Sequence, residues 1–212
     1  MKRVLLILIC LYLFSLYLCT GKIAGTETTN GDEMTITACA NGIQGTAPSG
    51  TEIHLFSDEY YPYNDSGYTR SITVSDAGTY QFLNLESGNY NILFTYATSD
   101  TSVFVQRISV EASDHSDTDT VTFSITGTLK GTLIDTLSKP VRGAYAYIKG
   151  SPYYATTNDL GEYVLAKIPG GRYTLEFKLT NSNSTWMTKS PVSVSVGVTS
   201  GKVTEIEPVT YK

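Results

Sequence analysis

The segment Asp76-Ala77-Gly78-Thr79-Tyr80-Gln81-Phe82-Leu83-Asn84-Leu85-Glu86-Ser87-Gly88-Asn89-Tyr90-Asn91-Ile92-Leu93-Phe94 returns 83 residues later. Its second copy is Asp159-Leu160-Gly161-Glu162-Tyr163-Val164-Leu165-Ala166-Lys167-Ile168-Pro169-Gly170-Gly171-Arg172-Tyr173-Thr174-Leu175-Glu176-Phe177, and the two align without a gap. Upstream, Pro48-Ser49-Gly50-Thr51-Glu52-Ile53-His54-Leu55 parallels Pro140-Val141-Arg142-Gly143-Ala144-Tyr145-Ala146-Tyr147-Ile148, with extra residues in the first copy around Tyr60 to Tyr68. A repeat this long is no solenoid unit. It predicts two homologous domains of about 90 residues each, a size at which a small sandwich folds by itself.

Both copies read as strands. Val121-Thr122-Phe123-Ser124-Ile125-Thr126 and Val192-Ser193-Val194-Ser195-Val196 alternate apolar and polar residues, the pattern of half-buried strands. No window after Leu18 carries a helical apolar stripe, and Gly or Asp clusters punctuate the chain as turns. About seven strands per copy are expected, which predicts an all-β fold of two tandem seven-stranded antiparallel sandwiches. In the shared Asp-x-Gly-x-Tyr segments, Asp76 and Asp159 are expected to cap a turn. Gly78 and Gly161 would then take the left-handed position, and Tyr80 and Tyr163 would start the next strand facing the core.

Composition agrees. The chain has 212 residues, is 41% hydrophobic and holds 16 Tyr and 7 Phe, enough apolar matter to offset chain entropy. A net charge of -5 lacks the basic footprint that phosphate backbones require, so no nucleic-acid partner is expected.

Lys2 and Arg3 precede an uncharged apolar run, Val4 to Leu18, which reads as an export signal and is short for a permanent bilayer span. The Cys19 that follows it resembles the acylated cysteine of bacterial lipoprotein signals, although Leu18 stands where those carry a small residue. That resemblance implies an N-terminal lipid anchor in a membrane, with Cys19 as the lipidation site. Cleavage after Gly21 or Ala24 is the other route. The chain then divides into residues 1–18 (signal peptide), 19–32 (flexible tether), 33–126 (first sandwich, a diverged repeat) and 127–212 (second sandwich). As a Gly-rich coil the tether would hold the folded part roughly 20 Å from its anchor. With Cys10 removed and Cys19 acylated only Cys39 remains, which excludes a disulfide scaffold; Cys39, late in the alternating run Met34-Thr35-Ile36-Thr37-Ala38-Cys39, is expected to be a packed small residue.

The ordered motifs of the second copy carry a family resemblance. These are Gly127-Thr128-Leu129-Lys130-Gly131-Thr132-Leu133-Ile134-Asp135, Pro140-Val141-Arg142-Gly143-Ala144, Ala155-Thr156-Thr157-Asn158-Asp159-Leu160-Gly161-Glu162-Tyr163 and Ile168-Pro169-Gly170-Gly171-Arg172-Tyr173-Thr174-Leu175. Together they resemble the carboxypeptidase regulatory-like domain, and the first copy resembles it more loosely. The resemblance implies a prealbumin-like (transthyretin-like) sandwich, related to carbohydrate-binding-like folds, that serves as a non-enzymatic accessory module.

Chemistry is mostly missing. The only histidines are His54 and His115, and His54-Leu55-Phe56-Ser57 lacks the Glu of a metallopeptidase pair, so no metal or cofactor is expected. Asp114 to Asp119 lacks the central Gly and distal Glu of a calcium loop and reads as a solvated hairpin loop. Adjacent Asp58 and Glu59 point to opposite faces of a strand, which argues against a glycosidase pair. No Gly-x-Ser-x-Gly elbow occurs. No enzyme is expected.

The insertion Tyr60-Tyr61-Pro62-Tyr63-Asn64-Asp65-Ser66-Gly67-Tyr68 offers rings and hydrogen-bonding groups on a loop. Tyr60, Tyr61, Tyr63 and Tyr68, with Trp186 in the second copy, are therefore the candidate ligand-binding residues, stacking on the sugars of a polysaccharide. The alternative is that these rings cover the sandwich ends and the chain is a structural spacer or an adhesin-like scaffold whose partner is a surface protein. Both readings place an exported accessory module at the cell surface. Exposed, coplanar rings would favour the first and packed rings the second.

Overall fold

The computed structural model describes residues 41–96, 100–112, 115–118, 121–179 and 191–212. Every regular element among them is a strand. The first sandwich contains β1 (Gly42–Thr46), β2 (Thr51–Ser57), β3 (Thr69–Thr73), β4 (Thr79–Leu83), β5 (Gly88–Tyr96), β6 (Thr101–Val110), β7 (His115–Asp117) and β8 (Ser124–Ile125). The second contains β9 (Gly127–Asp135), β10 (Ala144–Ile148), β11 (Tyr154–Thr156), β12 (Glu162–Ile168), β13 (Gly171–Leu179), β14 (Val192–Val198), β15 (Val203–Glu205) and β16 (Val209–Tyr211).

The two share one topology. Sheet β4-β1-β7 corresponds to β12-β9-β15, and β3-β2-β5-β6-β8 corresponds to β11-β10-β13-β14. In each sandwich the inward residues of the two sheets form a closed core. Ile43, Ile53, Leu55, Phe82, Ile92 and Phe94 fill the first, and Leu129, Leu133, Tyr163, Leu165, Leu175 and Phe177 the second.

The repeat extends into hydrogen bonds and backbone angles. Tyr90 Oη donates to the Glu86 carbonyl at 2.9 Å and Tyr173 Oη to the Pro169 carbonyl at 2.7 Å, the same corner at the same offset. Asn84 and Lys167 both take φ near +60°, at 56° and 59°, on the hairpin before that corner. Gly78 and Gly161 adopt the left-handed position expected of them, at φ 73° and 72°. The strand-start tyrosine leans over a glycine on the first strand: a Cβ on Gly45 would lie 2.8 Å from Tyr80 Oη, and one on Gly131 2.8 Å from Tyr163 Cζ. Only a bare backbone admits the ring.

Several sequence expectations change in detail. The sandwiches are not wholly antiparallel, because each closing strand runs parallel to the opening one: β7 along β1, and β15 and then β16 along β9. Pro208 stands between β15 and β16, so one closing strand is split into two. Part of the loop expected at 114–119 is strand β7, recruited by the parallel ladder with no apolar alternation of its own. Strand pairing in the expected 121–126 strand is confined to β8, while Val121 and Phe123 pack on the first core. The second turn is capped by Asn158, whose Oδ1 accepts the Leu160 and Glu162 amides at 2.9 Å, whereas Asp159 pairs with Arg142 in solvent. Cys39 lies outside the described residues.

Two tyrosines of the second core, Tyr163 and Tyr173, differ in how their hydroxyls are satisfied. Tyr163 Oη is buried with no hydrogen-bond partner among the described residues, and burial pushes its pKa up to about 12. Tyr173 Oη is satisfied. Tyr173→Phe is expected to lower stability by about 1 kcal/mol, whereas Tyr163→Phe leaves it unchanged or raises it; the midpoints of urea unfolding check both.

Candidate functional site

The residues with most to do outside the two cores lie where the sandwiches meet. In a sheet with one wet face, outward positions are polar, yet here they carry Phe56 on β2, Leu93 on β5 and Phe104 on β6. On the second sandwich β10 alternates Ala144 and Ala146, which face its core, with Tyr145 and Tyr147 on the other side. Phe56, Tyr60 and Leu93 form a third apolar cluster with Phe104 and Tyr153, which joins the sandwiches through their outer faces. Phe104 also packs its ring 6.1 Å from Tyr173.

One buried amide fixes this contact. Asn91 is 3% exposed, at the point where the β5–β6 register shifts between Tyr90 and Ile92. Its Oδ1 accepts the Arg107 amide at 2.9 Å, and its Nδ2 donates across the junction to the Gly150 carbonyl at 3.0 Å. Gly150 in turn donates its amide to the Tyr60 carbonyl at 2.8 Å. Gly150 has φ 69°, and a Cβ there would overlap Asn91 Nδ2. A side chain at 150 is excluded on both counts.

The tyrosine insertion belongs to this joint. It folds back on itself: Tyr61 donates its amide to the Ser66 carbonyl at 2.8 Å, and Ser57 to that of Tyr68 at 2.9 Å. Tyr60 is 7% exposed, its hydroxyl donating to Asp65 at 2.8 Å; burial and then Asp65 push its pKa up to about 12. Tyr63 crosses to the second sandwich, stacked on Tyr145 at 4.8 Å and 14° and edge-on to Tyr147 at 4.9 Å. Lys178 Nζ donates to Tyr63 Oη at 3.1 Å. Tyr61 lies 6.1 Å from Tyr147 and beneath Lys149, which pairs with Glu59 at 2.7 Å. Burial lowers the proton affinity of Lys149, but Glu59 and Tyr61 outweigh it and its pKa stands above the ordinary lysine value. Burial also drives the fully buried Tyr147 hydroxyl well above the usual tyrosine range.

Three of the four expected loop rings, Tyr60, Tyr61 and Tyr63, thus pack within the joint rather than standing free for a sugar. Tyr68 is 41% exposed and edge-on to Tyr90 at 6.1 Å. Trp186 and Cys19 lie outside the described residues. Sequence reasoning found the loop and missed its partners; the signal was the outward Phe56, Leu93, Tyr145 and Tyr147 on otherwise alternating strands. Beside the joint, a polar groove of about 300 Å³ is lined by Asp58, Gln106, Arg107, Lys149, Thr174 and Glu176. Its acids and bases are interspersed. No cluster of His, Cys, Asp and Glu that could hold a metal occurs among the described residues.

Two outcomes follow for the joint. Because Tyr60 holds its proton more tightly folded than unfolded, its contribution is fully present below about pH 10 and is lost as pH rises through about 12. The fall in stability between about pH 10 and 12, read from urea midpoints at each pH, should therefore be shallower in Tyr60→Phe than in the parent. Gly150→Ala touches neither core, yet it should separate the sandwiches and enlarge the radius of gyration in small-angle X-ray scattering while strand content by circular dichroism stays constant.

No family model matches the chain, and comparison with curated proteins finds no match. Among solved structures, the minor pilin of the gram-positive pathogen Streptococcus agalactiae is similar at 12% identity over 81% of this chain and 96% of its own, with a TM-score of 0.36. The major pilin subunit of Bacillus cereus is similar at 14% identity, over 76% of this chain and 59% of its own, with a TM-score of 0.33. The shaft pilin of Lactobacillus rhamnosus GG is similar at 8% identity, over 82% of this chain and 99% of its own, with a TM-score of 0.29.

Proposed function

We propose that the chain is an exported, non-enzymatic structural module of the cell surface, held by a lipid on Cys19 and engaging other proteins through its outer surfaces. The observation that carries this is the joint. The aromatic rings that a binding loop would offer to a ligand are used to make two sandwiches one body, with Asn91 and Gly150 as its pin. A body of that kind transmits position and load. The groove beside the joint is lined mainly by polar and charged residues, unlike the apolar clefts typical of small-molecule sites. The Gly- and Thr-rich segment 19–32 suits a tether between anchor and body, and the acidic balance suits a soluble outer surface.

The test has two arms. Metabolic labelling with a fatty acid should mark the wild-type chain and leave Cys19→Ser unmarked and released from the membrane. Calorimetry against a panel of storage and cell-wall polysaccharides should show no saturable heat. Saturable binding to any member, lost in Tyr68→Ala or Trp186→Ala, would replace this reading with a carbohydrate-binding one.

A further inference from the structure

An open sheet leaves a row of unpaired amides and carbonyls along each edge, and natural proteins shield such edges with charge, proline, bulges or brevity. Nearly every edge here is shielded. β3 carries Arg70, whose guanidinium reaches over to β4, donating to the Leu83 carbonyl at 2.8 Å and lying over the Phe82 ring. β7, β8 and β11 have two or three residues each. β6, beyond its short pairing with β8, is kinked at the register shift, carries Arg107 and gives the Ser109 carbonyl to the Ser116 hydroxyl. β12 has Glu162, Lys167 and a register shift between Leu165 and Ile168, and the β15–β16 edge holds Glu205 and is split at Pro208.

β14 is the exception. Val-Ser-Val-Ser-Val-Gly-Val pairs with β13 along all seven residues, with no charge, proline or bulge. No strand among the described residues pairs with its other side. Val196 and Val198 are buried and Val192 and Val194 half-buried, while Ser193, Ser195 and Gly197 are exposed, and a Cβ on Gly197 would meet nothing within 4 Å.

We infer that β14 is a self-association edge, occupied by β14 of a second copy of this chain running antiparallel to it. The strand is its own complement. Centred on Ser195, the pairing sets Val192 against Val198, Ser193 against Gly197, Val194 against Val196 and Ser195 against itself. Every valine then stays on the core side and every small polar residue on the wet side, and two four-stranded sheets become one of eight. Charge decides for a second copy. In a molecule of net charge -5 most self-contacts set like charges together, and β14 is the long edge with none to oppose. The inference stands on the edge alone and does not rest on the proposed surface role.

The register gives a direct test. Residues facing each other across an antiparallel pair have Cα atoms about 4.5–5.5 Å apart, within reach of a disulfide. In cells making the full chain with Cys39→Ser, adding Ser195→Cys should yield a disulfide-linked dimer on a non-reducing gel. Adding Ser193→Cys instead should not, since the two copies of residue 193 would lie roughly 13 Å apart along the strands. Ser195→Lys in the parent chain, which sets two ammonium groups face to face, should halve the mass measured by light scattering. No dimer with Ser195→Cys, equal yields at 193 and 195, or a parent chain that is already monomeric would each overturn the inference.

Discussion

The structure turns on one hydrogen bond, from the side-chain amide of Asn91 in the first sandwich to a backbone carbonyl of the second. Asn91 sits in the middle of a strand, nearly sealed from water, and its amide reaches the Gly150 carbonyl on the other sandwich. A buried amide left unpaired costs more than the bond it makes returns, so the contact is directional in a way that apolar packing is not. Phe56, Leu93, Phe104 and Tyr153 supply the area, and Asn91 selects the orientation in which that area closes. The insertion meets Tyr145 and Tyr147 in the same joint.

Duplication explains how such a joint arose from two similar parts. The copies keep what a sandwich needs for itself, namely the corner of Tyr90 and Tyr173 and the glycine beneath Tyr80 and Tyr163. They differ on the outward face. Where the second copy has Thr174 and Glu176, the first has Asn91 and Leu93, and where the first has Glu52 and His54, the second has Tyr145 and Tyr147. The two copies thus differ at the outer-face positions where they meet.

This difference also marks what could be read from the chain. The repeat, the strands and the core-facing tyrosines were legible because each depends on a local period of two or on a fixed offset. The joint was not, because Leu93 and Tyr147 look ordinary until both outward faces are considered at once. β7 escaped for another reason: His115-Ser116-Asp117 has no apolar alternation, and only the parallel ladder with β1 makes it a strand. Turn capping was misplaced by one residue because Asn158 and Asp159 are adjacent and equally able to cap, and only the backbone path decides which oxygen faces the amides.

The parallel closing strands carry a mechanical consequence. In the second sandwich the chain enters at the start of β9 and leaves at the end of β16, and these strands lie side by side and run the same way. Tension between those two points slides one strand along the other, so the ladder bonds at Leu133 to Asp135 and at Thr128 to Lys130 bear the load together instead of opening one after another. In a domain wired in this manner, stretch is opposed by the backbone ladder in shear rather than by the packing beneath it.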